Sequence, residues 1–186
     1  MSRPEITVLG YALLGLIQQR PASGYDLRKI FTETPMGGYS DSPGAIYPAL
    51  RRLEAMKLVE SRIESGSGMR RRKVLRLTPA GFEALKEWLT RPLVRHEIAN
   101  RLPELMLRFS FLDGAIGVAA TLQFLQSFEA ELKAYLPTLK KILKEMAAKM
   151  PLSGRLALEN GILGYEAQLQ WATNAIKQYA SKEKEP

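Results

Sequence analysis

Ser42-Pro43-Gly44-Ala45-Ile46-Tyr47-Pro48-Ala49-Leu50-Arg51-Arg52-Leu53-Glu54 is the stretch on which the fold turns. Ser42 reads as a helix cap, with Pro43 in the first-turn position where a missing N–H costs nothing. Ile46, Ala49/Leu50, Leu53 and Met56 recur at steps of three and four, which predicts a helix to about Lys57 with that stripe buried. Tyr47 and Arg51 are four apart and off the stripe, and Pro48 and Arg52 form a neighbouring exposed row. An aromatic and two guanidinium groups thus face outward from the helix. Arginine in such a place reads guanine through a bidentate pair or holds phosphate.

Working outward, two helices precede this one. Residues 4–19 carry Ile6, Leu9, Leu13, Leu16 and Ile17 at helical spacing, with Pro4 in the first turn and Pro21 as the stop. Gly10 and Gly15 each weaken that helix by roughly 1 kcal/mol relative to Ala, which suits close approach of another helix. Ser23 caps a second helix, Gly24 to about Glu33, and residues 34–42 form a Pro/Gly-containing loop. After Lys57 the period changes. Leu58–Ile63 reads as a short strand, Ser65–Gly68 as a turn and Arg72–Leu77 as the returning strand, with Val74 between charges. Thr78-Pro79 opens a fourth helix through Phe82, Leu85 and Leu89, ended by Pro92.

Helix, helix, loop, helix, strand, charged turn, strand, helix is the order of a winged helix-turn-helix. In such a head the third helix enters the major groove and the hairpin lies along the backbone or a minor groove. Arg70-Arg71-Arg72-Lys73 follows the Gly/Ser tip directly. Four adjacent cations repel one another, so a counter-charge is expected, and phosphates would supply it. An isolated basic run reads first as a solvated face. Beside an arginine-bearing helix it reads as a phosphate contact.

Residues 6–90 resemble the PadR family of bacterial transcription regulators. The resemblance rests on Pro21-Ala22-Ser23-Gly24-Tyr25-Asp26-Leu27, on the stretch from Ser42 to Glu54, on the Gly-rich turn with Arg71-Arg72-Lys73, and on Leu77-Thr78-Pro79-Ala80-Gly81. It implies a DNA-contacting set of Tyr25, Lys29, Ser42, Tyr47, Arg51, Arg52 and the wing residues Arg70, Arg71, Arg72 and Lys73. Tyr25 reads equally well as a core residue, since aromatics on amphipathic helices usually pack inward. Tyr47, off the apolar stripe, favours contact. Two positions depart from the family pattern. Lys57 stands where the family usually has Gly; the turn there calls for positive φ, which Lys adopts at a cost of about 1 kcal/mol. Leu75 stands where a Tyr is common.

Residues 91–103 read as a basic connector with two prolines, which puts the boundary between a DNA-binding domain, 1–92, and a helical domain, 93–186. In the second, Leu102, Leu105, Met106, Phe109 and Leu112 form one stripe, ended near Gly114. Two heptad seams follow: Leu125, Phe128, Leu132, Tyr135, Leu139, Ile142 and Met146, then Leu158, Ile162, Tyr165, Leu169, Ala172, Ile176 and Tyr179. Pro137 should kink or split the first. Leu122, Phe124, Leu136, Leu143, Leu163 and Trp171 lie off the seams, and a partner chain is the simplest cover for so much apolar surface. The expected architecture is therefore mainly α with a small β-hairpin: a winged head plus a long-helix homodimerisation domain reading a palindromic operator in double-stranded DNA. Leu125, Phe128, Leu132, Tyr135, Leu158, Ile162, Tyr165, Leu169 and Ile176 are its expected dimer seam. Some relatives in the family release DNA on binding a small aromatic or hydrophobic effector, and Tyr165 and Trp171 are the candidates to line such a pocket.

Composition narrows the rest. The 186 residues carry a net charge of +8, leaning toward the N-terminal half. There is no cysteine and a single histidine, His96, which reads as an exposed linker residue. No catalytic constellation, metal site or cofactor motif is legible, so an enzyme is disfavoured. The apolar run Ile6–Ile17 is too short to span a bilayer and lacks the flanks of a signal peptide. The expectation is a cytoplasmic repressor without a membrane partner. The alternative is a winged-helix protein-interaction module without DNA binding, against which Arg51, Arg52 and Arg70–Arg72 speak.

Overall fold

The computed structural model describes residues 5–39, 43–65 and 71–182, and within them two compact units, Met1–Arg91 and Pro92–Pro186. The first contains α1 (Val8–Gln19), α2 (Gly24–Glu33), α3 (Ile46–Ala55), β1 (Val59–Ser65), β2 (Arg71–Leu77) and α4 (Pro79–Thr90), with 3-10 turns at Pro35–Tyr39 and Pro43–Ala45. This is a winged helix.

Local chemistry sets most of these boundaries. Helix α1 starts at Val8, later than expected, because Thr7 is extended and its hydroxyl accepts the Gly10 N–H at 3.2 Å. Pro4 lies outside the described residues. Helix α2 has the expected bounds, closed by a capping box between Ser23 and Asp26. Helix α3 differs at its start: a 3-10 turn leads in, and Ala45 holds the cap position without a side-chain bond. Ser42, the expected cap, lies outside the described residues.

The exit from α3 is tightly constrained. Lys57 has φ 58°, the left-handed conformation its position called for. The Lys57 N–H donates to Glu54 O at 2.9 Å and the Leu58 N–H to Leu53 O at 3.0 Å, which closes a Schellman motif. The Thr78 hydroxyl donates toward Lys57 O (2.8 Å) and Leu58 O (3.1 Å), and accepts the Gly81 N–H at 3.0 Å. A Cβ on Gly81 would stand 2.0 Å from Leu58 O, so only glycine lets α4 rest on this turn. The end of α3, the start of β1 and the start of α4 thus form one knot.

The hairpin pairs antiparallel from Val59↔Leu77 to Ser65↔Arg71. Val74 and Leu75 are both buried although neighbours on a strand face opposite ways. The base of β2 is therefore covered on both faces. Ala22 pairs with Leu75 through two backbone bonds, 3.2 and 2.9 Å, so position 75 belongs to the core and to the α1–α2 connection. Leu13, Leu14, Leu27, Ile46 and Leu85 are fully buried, and Tyr11 stacks on Trp88 at 4.6 Å.

The second unit contains α5 (Arg95–Asn100), α6 (Leu102–Ala115), α7 (Val118–Met146) and α8 (Leu152–Lys182). The expected connector therefore holds a helix. Its charged sequence hid a buried edge: Ile98 is core, and Glu97 is buried 3.9 Å from the guanidinium of Arg108. Arg108 is 0% exposed, and its guanidinium carbon lies 5.6 Å from the centroid of the Phe124 ring. On α6 the fully buried apolar residues are Leu105, Leu107, Phe111 and Leu112; Met106 and Phe109 are half-buried. Helix α7 runs unbroken through Pro137, so the expected split does not occur. Helices α7 and α8 run antiparallel, tied by Lys140–Glu166 (2.6 Å) and by the Thr173 hydroxyl donating to Glu129 (2.6 Å).

One expectation about this unit changes. Leu125, Phe128 and Leu132 are fully buried within the chain, and Ile162, Phe124 and Leu136 nearly so. Helix α6 is the missing cover: Phe109 on α6 meets Phe124 at 6.0 Å and Trp171 at 5.0 Å. The seam residues Leu125, Phe128, Leu132 and Ile162, with Phe124 and Leu136 from off the seam, form the unit's own core. The exposed large apolar side chains of α7 and α8 are Ile142, Met146, Leu152, Leu156 and Leu163.

Candidate nucleic-acid interface

On α3 the buried positions are Ile46, Ala49, Leu50 and Leu53. Their periodicity turns Tyr47 (42% exposed), Pro48 and Arg51 to solvent. Tyr47 also leans on α2: a Cβ on Gly24 would stand 2.8 Å from its ring. On α2, Leu27 and Phe31 point inward, and Tyr25 is 63% exposed. The choice between core and surface for Tyr25 is thus decided for the surface. Lys29 is exposed and sits 3.8 Å from Glu33 one turn on. Arg52 is exposed too, but it borders an apolar groove with Ile6, Gly10, Leu53 and Met56, on the α1 side of α3. Tyr25, Lys29, Tyr47 and Arg51 therefore form the exposed set shared by α2 and α3.

The wing differs from its sequence reading. Arg72 donates to Asp26 Oδ2 and, at 3.2 Å, to the Ser23 hydroxyl. Asp26 is the capping-box carboxylate, and the same Oδ2 accepts the Ser23 N–H (2.9 Å) and the Ser23 hydroxyl (2.8 Å). Lys73 lies 3.0 Å from Glu54 on α3. Burial pushes the Glu54 carboxyl up, but hydrogen bonds from Lys73 and Ser61 and the Lys73 charge outweigh it and hold the group below its ordinary value. Arg76 bonds Glu64 across the strands at 2.8 Å. Arg70 and the side chain of Arg71 lie outside the described residues. The counter-charge expected from phosphates is thus supplied by protein carboxylates for Arg72 and Lys73. No local spacing could reveal this, because the partners are 46 and 19 residues away.

In the second unit, Tyr165 and Trp171 sit within ring contacts. Trp171 meets Phe109 and Phe128 edge-on at 5.0 and 6.2 Å, and Tyr165 meets Tyr135 at 5.4 Å. The Tyr165 hydroxyl donates to Ala99 O at 3.3 Å; burial, then the neighbouring Tyr135, pushes its phenol above the ordinary value. His96 is exposed, within hydrogen-bond distance of Asn100 on its own helix. Among the described residues no cluster of His, Asp and Glu could hold a metal ion, and no helix is long and apolar enough to cross a membrane.

Comparison with known proteins finds similar families for both units. Residues 13–87 match the transcriptional regulator PadR-like family, and residues 103–180 match the virulence activator alpha C-terminal family. The negative transcriptional regulator PadR of Bacillus subtilis is 33% identical over 84 residues, covering 45% of this chain and 46% of that protein. Transcriptional regulator Rv3488 of Mycobacterium tuberculosis is 52% identical over 52 residues, 27% of this chain and 46% of that protein. The matched segments span less than half the length of these curated relatives. Among solved structures, Bacillus subtilis PadR in complex with operator DNA has 24% identity and a TM-score of 0.43, covering 94% of this chain and 99% of that one. Residues 13–87 are thus of the PadR-like transcriptional regulator type and residues 103–180 of the virulence-activator C-terminal type, and these curated relatives are transcriptional regulators.

Proposed function

We propose that this protein is a sequence-specific DNA-binding repressor that works in the cytoplasm as a homodimer on a palindromic operator. The observation that carries the reading is the exposure of Tyr25, Lys29, Tyr47 and Arg51 on adjoining helices of a winged head. Arg51 and Tyr47 would reach base edges from the early turns of α3, with Tyr25, Lys29 and Ser42 on the flanking backbone and Arg70 and Arg71 on wing phosphates. Repression follows the named activity of the Bacillus subtilis relative.

Titration of a duplex selected from a randomised pool tests this. Affinity should fall steeply with salt, and Arg51→Ala should cost about 1–3 kcal/mol on the selected duplex and relax its preference. Equal affinity for the selected duplex and for mixed-sequence DNA would sink the reading.

The dimer is supported by the apolar side chains left in water on α7 and α8, Ile142, Met146, Leu152, Leu156 and Leu163; Tyr135, Leu158, Leu169 and Ile176 of the expected seam are half-buried. A self-complementary twofold patch is the economical cover for one repeated surface. Sedimentation should give a dimer for wild type and a monomer for Leu163→Glu. A small aromatic or hydrophobic effector would enter beside Tyr165 and Trp171, and quenching of Trp171 emission that parallels DNA release is its signature.

A further inference from the structure

The outer half of the hairpin has little of its own to hold it in place. The hairpin's buried apolar residues, Val59, Val74 and Leu75, lie between its base and the central Arg62–Val74 pair, and Ile63, one step farther out, is 70% exposed. Arg72 and Lys73 are the next residues outward from that pair. Neighbours on a strand face opposite ways. Arg72 accordingly reaches the start of α2, where Asp26 and Ser23 receive it, and Lys73 reaches Glu54 on α3. Glu54 thus ties α3 to β2 through Lys73. Asp26 likewise serves two ends, closing the α2 cap and receiving the wing.

We propose that Arg72 and Lys73 are positioning residues, braces that hold the wing against α2 and α3 and so set the angle at which the hairpin meets DNA. This rests on the DNA-binding reading above and changes its chemistry: the two cations are occupied before DNA arrives. Arg72 spends its Nη2 on Asp26 and Ser23, so a phosphate approaching the rest of the guanidinium would meet the Asp26 carboxylate beside it. The wing's phosphate contacts then fall to Arg70 and Arg71.

Removing the acceptors separates the two roles by sign. Asp26→Asn and Glu54→Gln each delete a negative charge and free a cation. If Arg72 and Lys73 bound phosphate, both variants would bind the selected duplex as tightly as wild type, or tighter. As braces, both should weaken binding by about three- to tenfold. Arg72→Gln should weaken binding equally while keeping the wild-type salt dependence, whereas loss of a phosphate contact lowers the slope of log K against log salt by about 0.9. Arg72→Lys should recover part of the affinity. Tighter binding by the acceptor variants, or a lowered slope for Arg72→Gln, overturns the assignment. Should Asp26→Asn fail to fold, Glu54→Gln caps nothing and carries the same test. If wild type selects no duplex at all, the DNA-binding reading fails, and thermal melting then decides the brace. An Asp26→Asn/Arg72→Gln double variant should melt no lower than the worse single; additive losses would reject the brace.

Discussion

The two units are held together by different kinds of residue. In the winged head, single residues with special roles fix the chain at knots: Lys57 in a left-handed turn, Thr78 bonded to two carbonyls, Gly81 against a carbonyl, Asp26 shared between a cap and the wing. In the helical unit, stability rests on stripes of apolar side chains, with Phe128, Leu125 and Leu132 at the centre. The head is built from exceptions and the helical unit from repetition. Exceptions carry their own explanation, because few residues can do what Gly81 does. Repetition says that a face is buried but leaves open which element covers it.

That contrast can be broken. The largest effect should come from the repetitive unit: Phe128→Ala opens a cavity in a fully buried site and should cost about 3–5 kcal/mol. Leu163→Ala, on an exposed position of α8, should stay within about 0.5 kcal/mol in the dissociated chain. Chemical denaturation at low protein concentration distinguishes them, and equal losses would mean that the core is misplaced. Next comes Gly81→Ala, where a methyl group collides with backbone. About 3 kcal/mol should be lost from the head alone, read as an earlier melt of one unit in calorimetry. A wild-type melt would show that the knot yields.

Lys57→Gly should act the other way and stabilise the head by up to about 1 kcal/mol, since glycine enters the left-handed region without a Cβ penalty. A destabilised variant would mean that the Lys57 side chain has a contact of greater worth. The smallest effect concerns acid. Glu54 in the head and Glu129 in the helical unit both titrate below their ordinary value of 4.5; for Glu129 the causes are hydrogen bonds from Thr173 and Lys133. A carboxyl group lowered on folding stabilises above its unfolded value, and that contribution disappears as pH falls through the folded one. Melting temperature should therefore drop below pH 4.5, and Glu54→Gln and Glu129→Gln should each flatten part of the drop. An acid limb unchanged in both would remove the ion pairs from the account.

How legible each region was follows from the same distinction. Helix α2 has the bounds its sequence implied because Ser23 and Asp26 close a cap within three residues. Lys57 was legible through the resemblance, which puts glycine at this position, where the turn after a helix often takes positive φ. Helix α5 was missed because Glu97, which reads as surface, is buried against Arg108. The wing was half legible: its basic run was plain, the carboxylates that occupy Arg72 and Lys73 were not.

The sequence by itself determined the winged head, the long helices, and the outward aspect of Tyr47 and Arg51. All of these follow from local periodicity, capping and backbone stereochemistry, which act over a few residues. Only the tertiary structure decided that Tyr25 faces solvent, that α6 covers the α7–α8 seam, and that Asp26 and Glu54 claim Arg72 and Lys73. Those outcomes depend on which surfaces and charges meet after the chain has returned on itself. The physical reason is range: a cap or a turn is satisfied by its neighbours, whereas a buried stripe or a surface cation accepts any partner of suitable shape or sign, and the fold chooses among them.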